Sequence, residues 1–427
     1  MTIELSALET RKLFNASCIA LITTSMTFAI RGALMDTWGT EFALTGEEIG
    51  WVNSTAFLGF TLSMLVGGPL CDVLGMRNLL RIAFFGHLLG IGLTISATGY
   101  YSLFYATLVI GISNGMVEAA CNPLITALFP NEKIKFLNRF HIWFPGGIVI
   151  GGLLSYLFLE RLHLPWPYLM TMLILPNLIY GYLAFKARFP VSERMSSGTS
   201  NSEMYKALLH PLFLIMVGCM FLTAATELGT NQWITALLAN VGVPSILLLV
   251  FINGIMAVGR GFAGELAHRL RPEGMLLLSA VFSALGLVLL SYAQGYQAFG
   301  AAAVFAVGIC YFWPTMLGFV SVYTPKTGPM GLSIMGGAGM FSVYLILPFM
   351  GKTYDQKLAS LIPEGMTLES LKNAVAGSTQ AQVWSDLNLM AGSETLFSVV
   401  ILPLFLIVAF TGILFWVKGK GDISKNP

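Results

Sequence analysis

The sequence predicts an all-α membrane protein whose twelve transmembrane helices form two pseudo-symmetric six-helix bundles. Three observations lead there. Of the 427 residues, 56% are hydrophobic and 10% charged, with a mean hydropathy of +0.76; soluble domains carry about 45–50% apolar and about 25% charged residues. Twelve stretches approach the about 20 mostly apolar residues that a membrane helix needs. A polar stretch splits the twelve into six and six.

The first six spans are expected near 13–37, 49–71, 80–99, 102–129, 140–160 and 166–186. The second six are expected near 211–238, 244–267, 274–294, 297–323, 329–351 and 394–417. Gly and Pro inside them are tolerated because neighbouring helices repair lost backbone bonds. The chain does not open with a basic n-region, short apolar core and A-x-A site, so span 1 is read as a retained helix. The stretch 186–211 is crowded with Ser, Gly, Thr and Asn, as a linker is. It divides the chain into an N-terminal bundle (1–188), a linker (189–209) and a C-terminal bundle (210–427). Weak echoes join the halves: "GGPLCDVLGMRN" with "GRGFAGELAHRLRP", and "GISNGMVEAACNP" with "GICYFWP". Two related halves with a substrate site between them near mid-membrane is a transporter architecture. Between spans 11 and 12 the segment 353–394 reads as an insertion, with Leu368, Leu371 and Val375 at helical spacing. An ornamental role is expected for it, with gating as the alternative.

Seventeen lysines and arginines fall in the segments on the side of the two termini, against Arg161, Lys352, Lys357 and Lys372 on the other. That asymmetry predicts cytoplasmic termini, in a plasma membrane of bacterial inner-membrane type. The net charge of +2 says little about partners, and no basic block is long enough to suggest a nucleic acid, so none is expected. Cys18, Cys71, Cys121, Cys219 and Cys310 have no metal-ligand spacing. The motif "GRGFAG" lacks the Lys-Ser/Thr end of a nucleotide loop, and H-E-x-x-H does not occur. No cofactor and no enzymatic activity are expected, and the protein is read as a monomer in the bilayer.

The chemistry lies in polar residues inside apolar runs. Asn114, Glu118 and Asn122 are four apart on span 4 and share one helix face. Intramembrane ionisable groups usually face the bundle interior or a wet cavity, and leaving water disfavours a carboxylate's charge. Glu118 is therefore a candidate proton carrier beside a substrate-binding face; a neutral or paired Glu that fixes packing is the alternative. Thr223, Thr226, Glu227, Thr230 and Asn231 form one polar stripe on span 7, followed by Gln232 and Trp233. Amides and hydroxyls suit sugar hydroxyls and an indole suits the apolar face of a pyranose; an interhelical hydrogen-bond seam fits as well. Span 1 carries Thr24, Thr27 and Arg31, with Asp36 further out. An arginine there needs an anion: Asp36, Glu118, Glu227 or an acidic substrate. At about 1.5 Å per residue, Arg31 and Glu118 are too far apart in depth to pair. Asn253, Tyr311 and Trp313 are further lining candidates, and His87 and His141 candidate relays.

The loop "GGPLCDVLGMR" resembles the G-x-L-x-D-x-x-G-x-R motif of the major facilitator superfamily: Gly68, Leu70, Asp72, Gly75 and Arg77 match, while Val73 and Met76 stand where basic residues are usual. The resemblance implies the major facilitator fold, with Gly68, Asp72, Gly75 and Arg77 in gating. "VEAACNPLITALFPNEKIKFLNRFHIWFPGGIVIGG" and "TELGTNQW" are similar to the fucose/glucose–galactose permease branch of proton-coupled sugar importers. That resemblance implies that Glu118, before Asn122-Pro123, serves proton coupling and substrate binding, and that Asp36 corresponds to an important helix 1 aspartate. The expected function is proton-coupled import of a monosaccharide or related polyol. The expected coupling residues are Glu118, Asp36 and Glu227. The expected substrate contacts are Asn114, Asn122, Arg31, Thr230, Asn231, Gln232, Trp233, Asn253, Tyr311 and Trp313. The alternatives are an exporter or antiporter of a drug-like or anionic metabolite, and a non-transporting membrane sensor.

The charge asymmetry has a direct test. Single cysteines at Ser197 and Ser378, in a background without native thiols, should label from opposite sides of sealed cells. Labelling of both from outside would remove the twelve-span arrangement.

Overall fold

The computed structural model describes residues 5–129, 133–190 and 206–419. Most of the expected linker therefore lies outside the described residues. So do the side chains of two expected gating residues, Gly68 and Asp72.

Every described element is helical. Span 1 is Ala7–Glu41 and span 2 Gly46–Leu74, each entered through a capping box. Ser6 and Glu9 exchange backbone-to-side-chain bonds at 3.0 and 3.3 Å, and Thr45 and Glu48 do so at 2.9 and 3.2 Å. These satisfy amide donors that a helix start leaves free. Span 2 stops at Gly75, whose φ of +78° is open to glycine at no steric cost. Span 3 is Met76–Ile95 and span 4 Tyr100–Leu128, followed by a short helix Lys133–His141. Span 5 runs Trp143–Ser155 and continues as a π turn, Tyr156–Arg161; span 6 is Trp166–Thr171 and Ile174–Phe185.

In the second half, span 7 joins Pro211–Ala224 to Thr230–Leu237 through a π turn at Ala225–Gly229. Span 8 is Ser245–Gly261, and span 9 is Ala263–Tyr292 with a break at Arg271. Span 10 is Gln297–Ile309 and Phe312–Tyr323, and span 11 Gly328–Leu361. Span 12 is Thr379–Val399 continued by Ile401–Gly419. Among the described residues eleven helices are long and apolar enough to cross a membrane, and the 17-residue span 8 is a shorter twelfth. This is a multi-pass membrane protein.

The structure moves the expected edges of the insertion. Span 11 runs past 351 to Leu361, and span 12 begins at Thr379 rather than near 394. Hydropathy locates only the lipid-facing part of a helix, whereas here packing carries both helices beyond it. Leu358, Leu371, Leu387 and Ala391 form a separate small core, with Tyr354, Met366 and Trp384 against it. The short helix between them is Leu368–Lys372, beginning at the residue the spacing indicated.

The halves meet where span 2 packs on span 11, span 5 on span 8 and span 1 on span 7. On the face that carries the insertion, this contact is tight. A Cβ on Gly50 would lie 2.6 Å from the Pro348 Cα, so only glycine lets the two backbones approach this closely. Asp355 accepts bonds from the Gly46 and Glu47 amides at 3.2 and 3.0 Å, placing a carboxylate at the positive end of span 2. Deeper, Thr235 donates to the Gly32 carbonyl at 2.9 Å, and the Asn53 amide donates to the Gln232 Oε1 at 3.0 Å. These bonds tie spans 1, 2, 7 and 11 together and close the insertion face.

If this contact is a closed gate, Gly50→Val should hold it open. A cysteine at Thr235, 8% exposed in the closed structure, should then label from the insertion face several-fold faster than in the Gly50 background. An unchanged labelling rate would show that spans 2 and 11 do not form the seal.

Candidate functional site

Spans 4, 5, 7, 8, 10 and 11 surround a small cavity lined by Glu118, His141, Phe144, Glu227, Leu228, Arg260, Trp313 and Met340. Both halves contribute to it. Glu118 is buried on span 4, five residues before the in-helix Pro123, and its Oε2 accepts a bond from the Asn122 amide at 3.0 Å. Pro123 has no N–H to give the preceding turn. His141 sits where the short helix before span 5 ends. Trp313 is the second residue of the second segment of span 10, just beyond the break at Cys310 and Tyr311.

The second half supplies an ion pair. Arg260 on span 8 bonds Glu227 on span 7, NH2 to Oε1 at 3.1 Å, with side chains 5% and 3% exposed. Its Nε donates to the Cys310 carbonyl at 3.1 Å, so the guanidinium joins spans 7, 8 and 10. The other Glu227 oxygen has no hydrogen-bond partner among the described residues. Glu227 lies in the π turn, a local widening that often marks functional positions. Tyr311 donates to the Gly259 carbonyl at 3.0 Å, beside the same junction.

A second polar system lies within the first half. Thr27 donates to the Thr24 carbonyl at 2.6 Å and accepts from the Asn114 amide at 2.9 Å. That leaves the Asn114 Oδ1 as acceptor for His87 Nε2 at 2.8 Å, while His87 Nδ1 lies 3.2 Å from the Tyr180 hydroxyl. Because Asn114 Oδ1 can only accept, His87 carries a proton on Nε2 and donates it there. Arg31, fully buried, joins this system through its Nε bond to the Thr27 carbonyl at 3.0 Å. Its NH1 donates to the Asn53 carbonyl at 3.1 Å, and its guanidinium carbon lies 5.0 and 5.8 Å from the rings of Phe28 and Phe57. Its NH2 has no partner among the described residues.

The structure thus divides the expected site residues. Glu118, Glu227 and Trp313 line the cavity, with Asn122 bonded to Glu118 and Tyr311 adjoining. Asn231 accepts from Asn253 at 3.3 Å, and Thr230 Oγ1, Asn231 Nδ2 and Asn253 Oδ1 remain without partners among the described residues. Asn114 shares a helix face with Glu118 yet is committed to Thr27 and His87. Gln232 belongs to the insertion-face closure, and the Trp233 indole donates to the Leu347 carbonyl of span 11 at 3.0 Å. Asp36 is exposed towards the insertion face, away from the cavity lining. Arg77 donates to the Phe185 carbonyl at 2.6 Å, joining the start of span 3 to the end of span 6. Sequence reading passed over Arg260, although an arginine inside an apolar run was the same signal that singled out Arg31.

The family model for the "Major Facilitator Superfamily" matches residues 16–348. The chain belongs to the major facilitator superfamily. Family members are transporters, and this chain is a membrane transporter of a small-molecule substrate rather than an enzyme. A gallate transporter of Pseudomonas putida is 26% identical over 357 residues, 73% of this chain and 77% of that one. The match to a probable anion transporter 6, chloroplastic, of Arabidopsis thaliana is 26% identical over 34% of this chain and spans only 28% of that protein's length. Among solved structures, a bacterial homologue of the human lysosomal transporter Spinster, inward-facing and unoccupied, superposes with a TM-score of 0.77 at 12% identity. That overlay covers 95% of this chain and 97% of the other, and shows the fold.

The Asn114 network makes a stability prediction. Asn114→Ala strands His87 Nε2–H and the Thr27 hydroxyl oxygen, and each buried polar group left unpaired costs about 1–3 kcal/mol. Thermal unfolding of the purified protein should begin at lower temperature, with substrate affinity changed no more than a few-fold. Lost affinity at unchanged thermal stability would instead place Asn114 on the substrate.

Proposed function

We propose that this transporter carries a small organic anion by alternating access, coupled to protons, with the face that bears the termini in the cytoplasm of a bacterial inner membrane. Arg31 carries the reading. A guanidinium in the membrane interior is costly without an opposite charge, and among the described residues Arg31 bonds two carbonyls and faces two rings, with one nitrogen unpartnered and no carboxylate bonded to it. It lies between the helices that seal the insertion face, so separation of those helices would expose it to a carboxylate arriving from that side. Arg260 places a second guanidinium on the cavity wall. The similarity to a gallate transporter and to a probable anion transporter supports an anionic cargo. Glu118 and Glu227, the two carboxylates of the cavity, are the groups that would carry the proton.

A neutral monosaccharide is the second reading. It is favoured by the partnerless amide and hydroxyl atoms of Thr230, Asn231 and Asn253, which match the hydroxyls of a polyol.

Proteoliposomes separate the two. Radiolabelled gallate, benzoate and D-gluconate, beside D-glucose and L-fucose, would be offered with and without an imposed proton gradient. At least one of the acids should accumulate only with the gradient. Arg31→Gln should lower its uptake at least tenfold, since a hydrogen bond to a charged group contributes about 1.5–3 kcal/mol. Glu118→Gln should retain exchange of labelled for unlabelled acid and lose accumulation. Uptake of a sugar but of none of the acids would overturn the anion reading.

A further inference from the structure

We propose that Arg260 is the anion anchor of the cavity, held in turn by Glu227 and by the substrate's carboxylate, so that substrate binding and protonation of Glu227 are one event. The proposal rests on the organic-anion reading above.

The geometry of the pair points to exchange. A guanidinium can receive a carboxylate through two parallel bonds, but Glu227 makes one, NH2 to Oε1 at 3.1 Å. Its Oε2 is buried without a hydrogen-bond partner among the described residues, so the pair is less than fully satisfied. Arg260 itself is held in place independently, through Nε and the Cys310 carbonyl. Release of Glu227 therefore leaves the guanidinium where it is. Glu227 stands on a π turn, whose single extra residue per turn gives span 7 a local register able to shift. Both partners line the small cavity, so a carboxylate admitted when the cavity widens would meet the pair first.

Charge balance dictates the rest. A second carboxylate beside Arg260 would leave one uncompensated negative charge in a low-dielectric site, which a proton on Glu227 removes. The substrate's carboxylate enters as the anion, one proton arrives from solvent and forms an O–H bond on Glu227, and the salt bridge passes from Glu227 to the substrate. No electrons are exchanged. Departure of the substrate runs the sequence backwards, and the proton leaves on the same side. Glu118 from span 4, His141 before span 5, and Cys310 and Tyr311 of span 10 are the other titratable groups around the pair. Among the described residues Glu118 accepts from Asn122 and bonds no guanidinium, so Glu227 is the carboxylate that Arg260 balances directly.

The test counts protons. Purified wild-type protein in weakly buffered solution is titrated with benzoate, gallate and D-gluconate in turn, with a pH indicator present. Binding should take up about one proton per anion at neutral to mildly alkaline pH. Glu227→Gln should bind the same acid with an affinity independent of pH and no proton uptake. The double variant Glu227→Gln with Arg260→Gln removes both charges at nearly constant shape and should lose anion binding at least tenfold. Wild-type binding with no proton uptake from mildly acid to mildly alkaline pH overturns the exchange and leaves the organic-anion reading standing. Failure of the wild type to bind any of the three acids overturns both. Should Glu227→Gln fail to fold, the wild-type proton count decides by itself.

Discussion

The bond between Arg260 and Glu227 is the interaction on which the rest of the site depends. Charged side chains inside a membrane persist when they face protein or a cavity and find partners. Here the partner is on span 7, and a further hydrogen bond goes to a carbonyl of span 10. One guanidinium thereby fixes three helices of the second half at one depth and places the π turn against the cavity. Removing one partner of such a pair would leave a buried charge, at a cost of about 3–5 kcal/mol. Packing and chemistry are inseparable at this point.

The first half meets the same constraint with neutral groups. Thr27, Asn114, His87 and Tyr180 alternate donors and acceptors through a fully buried chain. It is satisfied without charge, and it holds spans 1, 3, 4 and 6 together. Arg31 departs from this pattern: its charge meets carbonyl dipoles and ring faces, contributions smaller than those of a carboxylate. Among the described residues its hydrogen-bond and ring partners lie on spans 1 and 2, and this under-compensated cation is the starting point of the organic-anion proposal.

The seal itself is built from close backbone approach and a few polar ties. Gly50 against Pro348, Asp355 on the start of span 2 and Thr235 on Gly32 all lie towards the insertion face. Contacts of this kind form together or break together when the halves rock, because a packed interface is not continuously deformable. The carboxylates and the guanidinium of the cavity lie deeper, between spans 4, 7 and 8.

Sequence alone determined the helical membrane fold and the approximate position of each span, because the cost of placing polar backbone and charge in lipid is written into local composition. It also marked Glu118 and Glu227, since a carboxylate in an apolar run stands out whatever surrounds it. The ends of spans 11 and 12 were not legible: their polar extensions are helical because they pack on each other around Leu358 and Leu387, beyond the reach of hydropathy. Partners were not legible either. Asn114 and Glu118 share a face, yet one bonds His87 and the other faces the cavity; the Trp233 indole goes to Leu347. Arg260 and Glu227 are separated by 33 positions in the chain and joined by 3.1 Å in space. Only the tertiary structure decided these pairings, because they depend on how each helix is rotated and how deep it sits against its neighbours, and periodicity within one helix carries neither quantity.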